Sequence, residues 1–402
     1  MTNLPQGWKM ETLGEILSSD KYSIKRGPFG STLKKSFFVE KGIRIFEQYN
    51  PINNDPHWKR YFISHEKFQE LEAFKATEGD LLISCSGTLG KIVELPKDTE
   101  MGIINQALLK IRLNNIKILN SYFIYYFNSP IMQEKILEST LGSAIKNIAS
   151  VKILKQIEIP LPPLKKQERI VGILDESFAK IDESIKILEQ DLLNLDELMQ
   201  SALQKAFNPL KDNAKENYKL PQSWEWKSLE EISENISAGG DKPKNCTESK
   251  TAKNQIPVYA NGVNNNGLVG YTDKATIIKP SLTISARGTI GFVCIRKEPY
   301  FPIVRLISLI PCENILCLHY LYFCLNFFIA KGEGSSIPQL TIPKFKSLQI
   351  PLPPLKEQEQ IAEHLDFVFE KAKALKELYT KELKDYEELK QSLLNKAFKG
   401  EL

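Results

Sequence analysis

The residue types that most often carry out bond chemistry are present, but not at the spacings such chemistry requires. The six cysteines include no Cys-x-x-Cys pair, and Cys312 and Cys317 have no His or Cys partner at zinc spacing. Free thiols in a reducing cytoplasm are therefore expected. A P-loop needs a glycine-rich turn closing in Gly-Lys-Ser/Thr, and none occurs. Amino-group methylation needs an Asn/Asp-Pro-Pro-aromatic loop to hold the target amine, which is also missing. A Mg²⁺ nuclease needs clustered carboxylates, yet the nearest Glu-x-Lys, Glu225-Trp226-Lys227, lacks an upstream Pro-Asp. Together these absences point away from an enzyme. What recurs instead is a glycine-turned tip, "SGTLGK" at Ser86–Lys91 and "RGTIG" at Arg287–Gly291.

Those tips must be held by something, and the chain is built twice. "IPLPPLKKQERIVGILD" begins at Ile159 and "IPLPPLKEQEQIAEHLD" at Ile350, an offset of 191 residues. From Ile159–Phe207 to Ile350–Phe398 the alignment needs no gap and keeps 23 identities over 49 positions, far above chance. In each copy the prolines force an extended approach and suit a helix's first turn. A long helix follows, interrupted only by Gly172 before Pro209 in the first copy and uninterrupted until Gly400 in the second. Apolar residues at Leu174, Phe178, Ile181, Ile185, Leu188, Leu192, Leu195, Met199 and Ala202 step by four and three, a heptad seam. The second copy keeps Leu365, Phe369, Ala372, Tyr379, Leu383, Tyr386 and Leu393. There Lys376 and Lys390 replace the equivalents of Ile185 and Met199, with Leu375 and Leu389 one step away, so its seam is expected to drift. A helix of about 40 residues is about 60 Å long and needs a partner for its apolar stripe. The two copies packed antiparallel, with one lobe at each end, are the simplest solution.

Segments ahead of the helices echo one another more faintly: Leu4–Ile16 returns at Leu220–Ile232, Leu81–Ile92 at Leu282–Val293, and Tyr122–Asn128 at Tyr320–Asn326. An alternating apolar run into Gly-Thr-Leu/Ile-Gly predicts strand, tight turn, strand. The aromatic runs predict core helices. Each lobe is thus a mixed α/β unit of about 150 residues, and the fold class is α+β with an internal pseudo-twofold repeat. The expected domains are 1–158, the helix 159–207, 208–349 and the helix 350–402. Between the anchors the lobes diverge, and "YANGVNNNGLVGY" at Tyr259–Tyr271 has no counterpart in the first.

At 402 residues, with 42% apolar and 25% charged residues, the chain reads as a soluble globular protein of two or three domains. The apolar stretch Ile315–Ala330 is too short for a membrane span and contains His319 and Asn326, so a buried helix is expected. Met1–Met10 carries no apolar leader. Net charge is only +4, but residues 164–207 carry −3 and residues 355–402 carry −2, leaving +4 in residues 1–163 and +5 in residues 208–354. Basic lobes and acidic helices suit phosphates on the one and protein partners on the other, and equally suit a mixed solvated surface.

The order of lobe, IPLPPLxxQExI helix, lobe and IPLPPLxxQExI helix resembles the specificity subunit of type I restriction–modification systems over the whole chain. The stretch Gly79–Leu113, "GDLLIS.SGTLGK…NQALLKIRL", also resembles that family's recognition domains. The second lobe departs from the pattern. Lys279-Pro280-Ser281 stands where the first lobe has Glu78-Gly79-Asp80, and no Asn-Gln pair matches Asn105-Gln106. The resemblance implies a non-catalytic subunit in which each lobe reads one half of a bipartite double-stranded DNA target. The paired helices would set the gap and dock two adenine methyltransferase subunits. S-adenosylmethionine, ATP and Mg²⁺ would be held by those subunits and by translocase/nuclease subunits, with no cofactor, metal or membrane in this chain.

A DNA reader places Arg, Lys, Asn or Gln against base edges and spreads cations over phosphates. Candidates in the first lobe are Lys25, Arg26, Ser86, Thr88, Lys91 and Gln106; in the second they are Asn261, Asn264, Arg287, Thr289 and Arg305. The asparagines of the second lobe equally suit left-handed turn positions. Two other readings remain open: a methyltransferase or nuclease with diverged motifs, and a coiled-coil adaptor for proteins.

Overall fold

The computed structural model describes residues 4–138, 148, 150–207, 220–329 and 340–402. The expected domain start at 208, Pro209 and Ala330 lie outside the described residues. The chain divides into two units, Met1–Ile187 with Lys381–Leu402, and Leu188–Thr380.

In the first unit the lobe is built on a four-stranded antiparallel sheet ordered Ile24–Arg26, Leu108–Ile111, Leu81–Ser84, Ile92–Glu94. In the second the same order recurs with Ser233–Ala238, Ile307–Pro311, Ser281–Ile284 and Val293–Arg296. The strand–turn–strand read from sequence is the inner and edge strand of each. Leu81–Ser84 and Ser281–Ile284 are buried throughout, as unbroken apolar runs with small hydroxyls permit. The aromatic runs are helices, Asn120–Asn128 and Leu318–Phe328, which bury Tyr122, Phe123, Tyr126 and Phe127 in one lobe and Tyr320, Leu321, Phe323 and Cys324 in the other. Burial pushes the Cys324 thiol well above its usual range.

A second sheet distinguishes the lobes. In the first it has five strands, ordered Phe38–Val39, Phe62–Ile63, Ile43–Phe46, Gly102–Ile104, Lys75–Ala76. In the second it has three, ordered Leu268–Thr272, Ile256–Tyr259, Phe301–Pro302. These strands come from the segments where the sequence echo is lost.

The proline lead-in is not merely extended; it is a strand. Glu158–Leu161 pairs antiparallel with Lys9–Thr12, and Gln349–Leu352 with Glu225–Ser228. A two-stranded ribbon has open edges on which proline's missing N–H costs nothing. The carbonyl of Pro160 accepts from Tyr122 Oη at 2.8 Å, and that of Pro351 from Tyr320 Oη at 2.6 Å. Pro162 and Pro163 stand just ahead of the helix rather than inside its first turn, because the helix begins at Leu164. Gln167, fully buried, then fixes the helix to the lobe. Its Oε1 accepts from the Leu119 N–H at 2.9 Å, and its Nε2 donates to the Lys117 and Pro162 carbonyls at 3.0 and 2.9 Å. Gln358 repeats all three bonds, with the Cys317 N–H and the Ile315 and Pro353 carbonyls.

The long helices run Leu164–Phe207 and Leu355–Lys399, 44 and 45 residues. Gly172 leaves the first unbroken, in an exposed position where an added Cβ would meet nothing within 4 Å. In the first unit Ile170 and Leu174 share the lobe core with Leu394, Ala397 and Phe398. In the second, Leu203 and Phe207 share a core with Ala362 and Leu365. Low numbers on one helix meet high numbers on the other, so the segments within each unit are antiparallel.

The expected drift of the second seam does not occur. Lys376 and Lys390 stay on the seam, while Leu375 and Leu389, one step away, are exposed. Each lysine reaches an aspartate on the opposite helix: Lys390 meets Asp182 at 2.5 Å in the first unit, and Lys376 bonds Asp196 in the second. A charged residue at a seam position specifies register at some cost in stability. Because Asp182 and Asp196 remain well exposed, each pair should couple by about 0.2–1 kcal/mol. We expect Asp182→Lys and Lys390→Asp each to lower the unfolding midpoint, and the double exchange to recover most of the loss. Additive losses in that cycle would remove the register role.

Candidate nucleic-acid interface

The glycine-turned tips have one backbone in both lobes. In the first, the Ser84 N–H donates to the Lys91 carbonyl at 2.9 Å and the Gly90 N–H to the Ser84 carbonyl at 3.0 Å. In the second, Ser285 with Phe292 and Gly291 with Ser285 repeat these bonds at 2.9 and 3.0 Å. Gly87 and Gly288 hold φ of 66° and 69°, a left-handed conformation that glycine takes without steric cost. The side chains on this common turn differ: Ser86 is matched by Arg287, and Lys91 by Phe292, while Thr88 and Thr289 agree. Thr88, Lys91, Arg287 and Thr289 are exposed. Ser86 is half-buried, with its Oγ 3.4 Å from Gln48 Oε1.

A second turn lies beside the first in each lobe. The Gly27 N–H donates to the Leu108 carbonyl at 2.9 Å, and the Gly239 N–H to the Leu306 carbonyl at 2.8 Å. Both glycines are required by crowding: a Cβ on Gly27 would fall 1.8 Å from the Asn105 oxygen, and one on Gly239 2.6 Å from the Ile303 nitrogen. The residues just ahead of Leu108 and of Leu306 therefore occupy corresponding places. Val304-Arg305 stands where the first lobe has Gln106-Ala107, a correspondence that sequence alone does not reveal. Gln106 and Arg305 are both exposed. Lys25 and Arg26 lie on the adjoining strand, with Lys25 Nζ 5.1 Å from the Phe74 ring and the Arg26 guanidinium 5.5 Å from the ring of Phe29. Phe29 is 64% exposed.

In the second lobe Asn261 is half-buried and its amide is committed to backbone at both ends. Its Nδ2 donates to the Val304 carbonyl at 2.6 Å and its Oδ1 accepts from the Ala286 N–H at 2.8 Å. Asn264 is exposed, whereas Asn265 and Asn266 take left-handed φ of 48° and 52° and shape the loop. Arg296 escaped the sequence reading. It is buried, with Nε donating to Thr283 Oγ1 at 3.0 Å, a terminal nitrogen donating to the Asn266 carbonyl at 2.6 Å, and the guanidinium 3.5 Å from the Tyr259 ring centroid. A lone arginine closing the strand "VCIR" was the available signal.

The departure at Lys279-Pro280-Ser281 has an electrostatic reason. In the first lobe buried Asp80 takes Arg112 Nε at 2.7 Å, close to buried Lys110, whose pKa burial lowers. The strand register matches Lys110 with Ser308. The second lobe thus replaces both the buried acid and the neighbouring buried lysine, placing Ser281 Oγ 2.9 Å from the Tyr300 hydroxyl. Among the described residues, no group of three or more His, Cys, Asp or Glu is placed to hold a metal ion, and no helix is long and apolar enough to cross a membrane.

The family profile described as the type I restriction modification DNA specificity domain matches residues 5–192 and 221–384. A putative type I specificity subunit of Mycoplasma pneumoniae is 33% identical over 221 residues, covering 54% of this chain and 56% of its own. A second from that organism is 31% identical over 56% of this chain and 66% of its own, so these alignments span roughly half to two thirds of the relatives. The putative MjaX specificity subunit of Methanocaldococcus jannaschii is 25% identical over 85% of this chain and 82% of its own. Among solved structures, the HsdS subunit from Thermoanaerobacter tengcongensis shares the fold at a TM-score of 0.64, with 21% identity over 99% of this chain and 98% of that one. A chain from a study of type I R-M complex assembly shares it at 0.81, with 20% identity over 100% of both. With the recognition-domain profile matched in both lobes, this chain belongs to the family of type I restriction–modification DNA specificity subunits.

Proposed function

We propose that each lobe reads one half of a bipartite duplex DNA target, and that the long helices set the gap and dock two adenine methyltransferase subunits. The observation that carries this reading is the glycine-turned tip built on one backbone in both lobes and furnished with different side chains, with a second turn beside it that differs in shape and side chains between the lobes. A common frame with exchanged tips is what two different half-sites require. Gln106 and Ser86 in one lobe, and Arg305 and Arg287 in the other, would face base edges, where arginine pairs bidentately with guanine and glutamine with adenine. Lys25, Arg26 and Lys91 would meet phosphates. The subunit itself is non-catalytic in this reading. S-adenosylmethionine, ATP and Mg²⁺ belong to the methyltransferase subunits and to any translocase/nuclease that joins them.

Three measurements test it. Mapping methylated adenines in DNA exposed to the assembled complex should return one bipartite motif. Affinity for that motif should fall steeply with salt, and replacing Lys91 by Ala should reduce the slope of log K against log salt by about one. The isolated chain should not bind S-adenosylmethionine; saturable binding would favour the enzyme reading. Affinity indifferent to both sequence and salt would favour the adaptor.

A further inference from the structure

The second lobe ties its two turns together differently from the first. In the first, the tie is backbone to backbone: the Cys85 N–H donates to the Ala107 carbonyl at 2.8 Å. In the second, the corresponding Ala286 N–H donates to the side chain of Asn261, whose other end holds the Val304 carbonyl. The backbone it holds is strained. Val304 and Arg305 have consecutive φ of 54° and 61°, and positive φ is rare for a β-branched residue. Such conformations persist only where the surroundings over-determine them, and they cluster at functional sites. Here the surroundings are visible: the Val304 N–H donates to the Gly240 carbonyl and the Arg305 N–H to the Gly239 carbonyl, each at 2.8 Å.

We infer that Asn261 is not itself a base reader but the positioning residue that fixes the spacing between Arg287 and Arg305. One amide spans the residue before Arg287 and the residue before Arg305. It therefore sets both tips against a single rigid group, while the left-handed pair turns Arg305 outward. This rests on the proposed DNA reading by the second lobe and adds how its specificity is set. The two ends of the amide are chemically distinct, and that makes the inference separable from a general role in folding. Asp in place of Asn keeps an acceptor for the Ala286 N–H but loses the donor to Val304.

The test is selection of duplexes from a randomised pool by the full chain assembled with its methyltransferase subunits. Arg287→Ala and Arg305→Ala first define which base positions each arginine reads. Asn261→Ala should then relax both sets by about tenfold or more, and leave the half-site of the first lobe unchanged. Asn261→Asp should relax only the Arg305 set. Uniform weakening across the half-site, equal relaxation of both sets by Asn261→Asp, or no relaxation at all would overturn the positioning role. If neither arginine variant changes the selected motif, the base-reading role fails instead. Should Asn261→Ala lower the unfolding midpoint too far to assay, the Asn261→Asp split decides.

Discussion

One heptad inserted into both long helices, between the Asp182–Lys390 and Asp196–Lys376 pairs, should lengthen the preferred gap between half-sites by about three base pairs. Seven residues add about 10 Å at 1.5 Å each, and duplex DNA rises 3.4 Å per base pair. Insertion must be made in both helices, because one alone would break the register that each lysine–aspartate pair marks. Affinity should fall at the new gap. Three base pairs turn the duplex by about 100°, at 10–10.5 base pairs per turn, whereas a heptad turns a helix by only about 20° relative to its seam. Three heptads, about 31 Å and nine base pairs, bring the duplex close to a full turn and should recover much of the loss. An unchanged gap in adenine-methylation maps for both insertions would remove the ruler role.

What the sequence showed and what it hid divide along a physical line. Patterns carried by side-chain periodicity were legible: the heptad seams, the aromatic helices, and the apolar run into Gly-Thr-x-Gly. Partners far apart in the chain were not. The lead-in at Glu158–Leu161 reads only as an extended approach to the helix until Lys9–Thr12 is seen paired with it. Gln167 and Gln358 look like ordinary helix-surface residues, yet they are buried because each satisfies three backbone groups at once. Lys376 and Lys390 looked like defects in a seam, since the aspartates that answer them lie 180 and 208 residues away. At the candidate interface the residue types were readable but their division of labour was not. Nothing in "YANGVNNNG" says that Asn261 binds backbone, that Asn265 and Asn266 bend it, and that Asn264 is left exposed.

The same blindness applies to Phe398, whose truncation carries a large expected cost in stability. By sequence it ends a helix that follows the second lobe. In the structure it is buried in the core of the first, its ring edge-on to Tyr122 and Tyr126 at centroid distances of 5.4 and 5.1 Å. Phe207 plays the equivalent part in the second lobe, 5.5 Å from Tyr320. Truncating a fully enclosed phenylalanine removes its transfer energy and leaves a cavity, a cost of about 3–5 kcal/mol, and the lost edge-on ring pairs lie within that figure. Phe398→Ala should therefore accelerate amide exchange in Leu81–Ser84 and Leu108–Ile111 while sparing Ser281–Ile284 and Ile307–Pro311. Phe207→Ala should do the reverse. Each lobe then depends on a residue that the other copy of the repeat, not its own, would lead one to choose. Faster exchange in the second lobe's sheet on losing Phe398 would mean that the helix ends are packed the other way round.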